Sequence, residues 1–373
     1  MSVASHSADF VYGNTRLRAR KAALLGQAGY EALLDRDLEG LLEGLAATAY
    51  LPDIEASGAI PPGERALQEI VRQHLARVLE EMRAFYDGPA RSLVDLLLGR
   101  FDLHNLLALL RGLVRRQEVA RVLASVVPLG SLGGGAAREI AQQPEPVAAV
   151  DRLVTWRLPD QESARALAAG WSEFERTEDL AALEHALVTA HARKLQLALH
   201  GAGPAAEPLR NLMARESDAA NILVVLRLWC ALERAEFAEL PLPPAAGRFL
   251  AGGKIAEPVL ESALRLPTLA NAAAELAAAA RRPRWRAPLE RFAAGGDLAG
   301  LQRALEIDRV RWAVGLFLGG DPLGVDVPIA YTLAVENEAR NIRLVGEAAA
   351  AHQPAAVVRP LLLPPGGGET WGS

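Results

Sequence analysis

Between Gly63 and Asp87 the chain carries an apolar stripe that only a helix can turn to one side. In ERALQEIVRQHLARVLEEMRAFY (64–86), Leu67, Ile70, Val71, Leu75, Val78, Leu79 and Met82 recur at three- and four-residue steps, the period of an amphipathic helix. Pro61, Pro62 and Gly63 precede the stripe, and Asp87-Gly88-Pro89 follows it, which punctuates both ends. DLAALEHALVTAHARKLQLALHG (179–201) repeats the form: Asp179 is placed to cap, Leu183, Leu187 and Leu195 share a stripe, and Gly201 stops it. No segment sustains the alternation of a strand, and VVPLG (126–130) is short and runs into glycines, so it reads as loop. The apolar mass is aliphatic: 51% of residues are hydrophobic but only 5% aromatic. Leu and Ala favour helix, and the expected fold is all-α.

Punctuation falls at PLGSLGGG (128–135), LPLPPAAG (240–247), RRPRWRAP (281–288) and LGGDPLGVDVP (318–328). The end, LLLPPGGGETWGS, is rich in Pro and Gly without a period and is expected to be flexible.

One phrase recurs inside the helical pattern. FDLHNLLALLRG (101–112), SDAANILVVLRLW (217–229) and ENEARNIRLVGEA (336–348) each place an acid three residues before an Asn: Asp102 and Asn105, Asp218 and Asn221, Glu338 and Asn341. In the first two, Gly-Pro and an amphipathic helix come before the phrase, and an Arg follows six residues after the Asn, at Arg111 and Arg227. In the third, Arg343 follows at a different offset. A fainter copy in VYGNTRLRARKAALL (11–25) has Asn14 and Arg20 but lacks the acid. Downstream, SLGGGAAREIA (131–141) pairs with LAGGKIAEPVL (250–260), each a Gly-Gly turn entering a helix. The Asn positions are 91, 116 and 120 residues apart, too long for a solenoid repeat but suited to duplicated subdomains. The expected boundaries are 1–126, 127–243 and 244–350, with a tail at 351–373.

Acid and Asn at i and i+3 share a helix face, whereas an Arg six residues on lies roughly 240° away. Asp102 and Asp218 could cap helices that begin at the phrase. A buried Asn among aliphatic residues must find hydrogen-bond partners. Using it three times favours a structural anchor. Partner contact by the arginines is a second use, and catalysis has the weakest support.

Familiar chemistry is missing. The seven His do not cluster, and His185 and His191 are off the i, i+4 spacing of a helical zinc pair. There is no phosphate-binding loop or nucleophile elbow, and no cofactor or metal is expected. Cys230 is the sole cysteine, so it reads as a packing residue of a reducing compartment. The net charge of −5 supplies no global attraction to nucleic acid. The basic runs RLRARK (16–21) and RRPRWR (281–286) therefore read as a solvated helix face and a solvated loop. MSVASHSADF (1–10) has no basic region followed by an apolar one, so no signal peptide is expected, and no apolar run approaches the roughly eighteen residues that cross a bilayer.

At these residues the chain resembles the C subunit of the bacterial and archaeal V/A-type ATPases, which is similar to the d subunit of the eukaryotic vacuolar ATPase. The resemblance lies in FVYGNTRLRARKAALL (10–25), in YEALLDRDLEGLLEGLAATAYLPDI (30–54) with its Thr48 and Tyr50, in RFDLHNLLALLRG (100–112) and in VENEARNIRLVGEA (335–348). It covers about residues 10 to 350 and departs at Gly13-Asn14-Thr15, at 144–176 and in the tail. The resemblance implies three helical subdomains in a pseudo-threefold funnel and a non-catalytic part of a rotary motor. That part would join the central shaft of the soluble ATPase head to the membrane rotor ring, peripheral on the cytoplasmic face and without entering the bilayer. Arg20, Arg111, Arg227 and Arg343 would be candidates for partner contact. A free-standing helical scaffold for protein binding is the alternative.

Overall fold

The structure, a computed structural model, describes residues 3–58, 61, 63–233 and 248–365, with side chains from Phe10 onward. Among the described residues every regular element is a helix and no strand occurs. The chain packs as two compact units, Met1–Leu183 with Val310–Ser373, and Glu184–Arg309.

The first unit opens with α1 (Val3–Arg20), α2 (Gln27–Leu34), α3 (Leu38–Ala46) and α4 (Leu51–Ala56). Asp37 starts α3 by accepting from the Gly40 N–H. Next come α5 (Glu64–Arg83) and α6 (Gly88–Val114), followed by α7 (Val119–Ala124), α8 (Gly134–Ala141), α9 (Pro146–Trp156) and α10 (Gln161–Thr177). The stripe read from 64–86 is the buried face of α5, which ends three residues sooner than its pattern. It packs along α17 (Asp326–Ala350). That helix is buried on nearly all sides through its middle, as expected of a helix at the centre of a core. α11 (Leu180–Gly201) and α16 (Leu298–Gly319) contain the two points where the chain passes between units. Asp179 caps α11 through the Ala182 N–H.

The second unit contains α12 (Glu207–Glu233), α13 (Glu257–Ala263), α14 (Leu269–Ala280) and α15 (Pro283–Gly295). Its core joins Ile222, Val225 and Leu226 of α12 to Leu276, Trp285, Leu289 and Phe292.

Three expectations change. First, the acid-x-x-Asn phrases do not begin helices. α6 and α12 are single helices of 27 residues, and Asp102 and Asp218 lie inside them, where no free helical N–H awaits a cap. Second, RRPRWR is not a solvated loop. Arg281 ends α14 in the left-handed conformation and Pro283 starts α15. Third, part of the Pro/Gly-rich end packs: α18 (Ala355–Val358) leads to Leu362 and Leu363, each only 1% exposed. LPLPPAAG (240–247) and residues 366–373 lie outside the described residues.

Candidate functional site

The three asparagines do the same thing. Each uses both ends of its amide to grip both backbone groups of one distant residue. Asn105 donates to the Val127 carbonyl (2.8 Å) and accepts from the Val127 N–H (2.9 Å). Asn221 does so to Leu250 (3.0 and 2.8 Å). Asn341 does so to Leu363 (2.9 and 3.0 Å). A buried loop has no strand partner for its N–H and C=O, and the amide supplies both. All three amides are buried, at 0–2% exposure. Asn14 behaves differently. Its amide donates to the Pro322 and Gly324 carbonyls and accepts from the Tyr86 hydroxyl.

The acids divide. Asp102 accepts from the Leu132 N–H (2.9 Å) and Asp218 from the Ile255 N–H (3.0 Å), each five residues beyond the clamped one. A glycine lets the loop come close: a Cβ on Gly130 or Gly253 would lie 2.6 or 2.5 Å from the carboxylate. Asp218 also takes the Arg282 guanidinium (3.1 Å), which lies over the Trp285 ring. Trp285 in turn donates to Asp308, the ion-pair partner of Arg215. Glu338 turns elsewhere. It accepts from the Leu25 N–H and the Tyr50 hydroxyl. Both donors are neutral, and burial pushes its carboxyl up to about 7.

The four arginines have different settings. Arg20 pairs with Glu81 and lies 4.9 Å from the Phe85 ring. Arg111 and Arg227 are exposed at matching positions beyond their clamps. Arg343 is half-buried, and burial, with the Arg72 charge adding to it, lowers its pKa. Arg343 and Arg111 share the neighbourhood of His104, whose pKa is lowered first by burial and further by these two cations. Among the described residues, no group of three or more His, Cys, Asp or Glu is disposed to hold a metal ion. No described helix is long and apolar enough to cross a membrane.

A family model for the ATP synthase (C/AC39) subunit matches residues 13–359, a span that holds all four asparagines. The chain belongs to this family. The C subunit of the V-type ATP synthase of Thermus thermophilus is 30% identical over 351 residues, covering 94% of this chain and 97% of that protein. The C subunit of the A-type ATP synthase of Haloferax volcanii is 26% identical over 343 residues, covering 90% and 91%.

In this C/AC39 family member, the clamps have a further donor that the sequence phrase did not reveal. Four residues before the Asn, Ser217 donates to the Ala251 carbonyl (2.9 Å) and Asn337 to the Pro364 carbonyl (2.7 Å). Each acceptor is the residue just after the clamped one. The first copy has Phe101 at this position. The signal was a polar residue at that offset in two copies of three.

Proposed function

We propose that this protein is the non-catalytic central-stalk subunit of a rotary V/A-type ATP synthase. It joins the shaft of the soluble head to the membrane rotor ring, on the cytoplasmic face of the membrane, and so couples ATP turnover to proton or sodium transport. The observation that carries this reading is likeness over nearly the whole length to relatives named as the C subunit of V-type and A-type ATP synthases. The clamps support a mechanical role. A loop gripped at both backbone groups by a buried amide resists local opening, because release strands four polar groups at once. Three such grips, at Val127, Leu250 and Leu363, also suit a body of three duplicated parts bounded near 126, 243 and 350. In this reading Asn14, Asn105, Asn221 and Asn341, with Asp102, Asp218 and Glu338, hold the body together. Arg20, Arg111, Arg227 and Arg343 are the residues from which contacts with the shaft and ring are drawn.

Affinity purification of the tagged chain from solubilised membranes tests the assignment. Head and membrane sectors should co-purify with it. Recovery as a monomer without them would favour the free-standing scaffold. Within the complex, Arg111→Ala with Arg227→Ala should leave the chain folded and weaken attachment of the head, most of all at raised salt. Ion pumping coupled to ATP hydrolysis in reconstituted vesicles reads the effect. Coupling with unchanged salt tolerance would remove these two arginines from the interface.

A further inference from the structure

The basic run at 16–21 was expected to be a plain solvated face, and α1 gives it more structure than that. One side of α1 is fixed. Phe10, Asn14 and Leu17 are buried, Phe10 meets Tyr86 at a centroid distance of 5.6 Å, and Tyr86 bonds Asn14. At Gly13 the helix lies flush on Tyr86, where a Cβ would come within 2.2 Å of the ring. The flank beside Gly13 carries Tyr12, Arg16 and Arg20 at four-residue steps, and they gather around Phe85 just beyond the end of α5. Tyr12 meets Phe85 edge-on at 6.2 Å. Arg16 lies 5.9 Å from the Tyr12 ring and 5.4 Å from the Phe85 ring, and Arg20 lies 4.9 Å from Phe85. Tyr12 is nevertheless 61% exposed and Val11 47% exposed.

The charges are unevenly satisfied. Arg20 has Glu81. Arg16 is held against two rings and, among the described residues, pairs with no carboxylate. Stacking on aromatic faces orders a guanidinium while leaving its N–H edge free for a carboxylate. Exposed Tyr and Arg ordered in advance are the side chains that dominate protein interfaces, because little entropy remains to be lost on docking.

We infer that Tyr12, Arg16 and Phe85 form a docking surface for another protein, which presents a carboxylate to Arg16 and an apolar side chain to Val11 and Tyr12. An anionic lipid surface fits less well. Recognition of such surfaces takes clusters of about four to eight basic residues. Of the four basic residues in 16–21, Arg20 is already neutralised by Glu81, which leaves three, and Arg83 nearby is paired with Glu80 and Asp95. The inference rests on assembly of the chain into an ATP synthase, and it extends the contact drawn from Arg20 to a site on α1 separate from Arg111, Arg227 and Arg343.

The test places a benzophenone photocrosslinker at position 12 of the tagged chain in intact ATP synthase in its native membrane. Mass spectrometry of the product should find a segment of another subunit with Asp or Glu within one helical turn of the attachment point. Arg16→Glu should weaken retention of the chain in the complex about thirtyfold, a typical loss for an interface anchor. A Lys in place of the crosslinked partner's acid should restore it. Melting of the isolated Arg16→Glu chain should match wild type, since the side chain is exposed. Crosslinks to lipid alone, no crosslink in an intact complex, or unchanged retention of Arg16→Glu would overturn the inference and leave the family assignment and the stalk role standing. Absence of the wild-type chain from any ATP synthase complex would instead overturn that role, and this inference with it.

Discussion

Asp218 and Glu338 stand at the same place, three residues before a clamping asparagine, and both are almost wholly buried, at 0% and 3% exposure. Their surroundings make them different groups. Asp218 has a loop N–H and the Arg282 guanidinium, so its charge is matched inside the protein. Glu338 has a backbone N–H and a phenol, both neutral, and its carboxyl titrates near 7. A buried carboxylate without a cation favours its proton, and one with a cation does not need to. A repeated phrase therefore need not meet a repeated set of partners.

The largest expected effect comes from turning the first site into the second. Arg282→Ala removes the cation from Asp218 and should cost about 3–5 kcal/mol at neutral pH, the usual range for stranding one half of a buried pair. Urea denaturation of Arg282→Ala alone and together with Asp218→Asn should show a smaller loss in the double variant, which leaves no unpaired carboxylate. An equal loss in both variants would mean that the guanidinium matters for its packing on Trp285 rather than for its charge.

Next are the clamps themselves. Asn105→Leu strands the Val127 N–H and carbonyl, and each buried unpaired group costs about 1–3 kcal/mol. Asn221→Leu should cost less, because Leu250 is only half-buried and water can replace the amide there. Denaturation midpoints rank the two, and the reverse order would break the equivalence drawn between the clamps.

Glu338→Gln sharpens the contrast from the other side. The folded pKa is raised from 4.5 to about 7, so between these values the folded state binds the extra proton. Glu338 thus contributes stability below about pH 4.5 that is lost as pH rises to about 7, amounting to about 3 kcal/mol. The Gln variant, without a charge, can accept from the Leu25 N–H through its amide oxygen and donate its amide N–H to the Tyr50 hydroxyl oxygen, reversing that bond. It should match wild type near pH 4.5 and exceed it above pH 7. Parallel pH profiles for the two proteins would show that Glu338 is ionised at a lower pH than its burial implies.

The smallest effect on stability is expected at the exposed arginines. Arg111→Ala and Arg227→Ala should each change the stability of the isolated chain by no more than about 0.5 kcal/mol, in contrast to the residues one or two turns before them. A loss comparable to that of the clamps would make these arginines part of the body rather than of a contact surface.

Much of this was legible in the residues. The all-helical class follows from periodicity and from Leu and Ala, which act locally within one or two turns. The importance of Asn105, Asn221 and Asn341 was legible too, since an amide in an aliphatic helix must be paired. Their partners were not. Val127, Leu250 and Leu363 lie 22, 29 and 22 residues downstream, and no local rule chooses among the carbonyls in between. The capping role expected of Asp102 and Asp218 failed because capping depends on where a helix begins. α6 and α12 had already begun at Gly88 and Glu207.

The sequence by itself determined the helices, their main breaks and the recurrence of the acid-x-x-Asn phrase, because these depend on neighbours along the chain. Tertiary structure alone decided what each polar group would meet. It sent Asp218 to Arg282 and Glu338 to Leu25 and Tyr50, folded Leu363 under Asn341, and set Arg16 against Tyr12 and Phe85. Charge state, burial and exposure follow from those meetings. They arise from the distances that packing imposes between segments far apart in the chain, which no stretch of residues encodes alone.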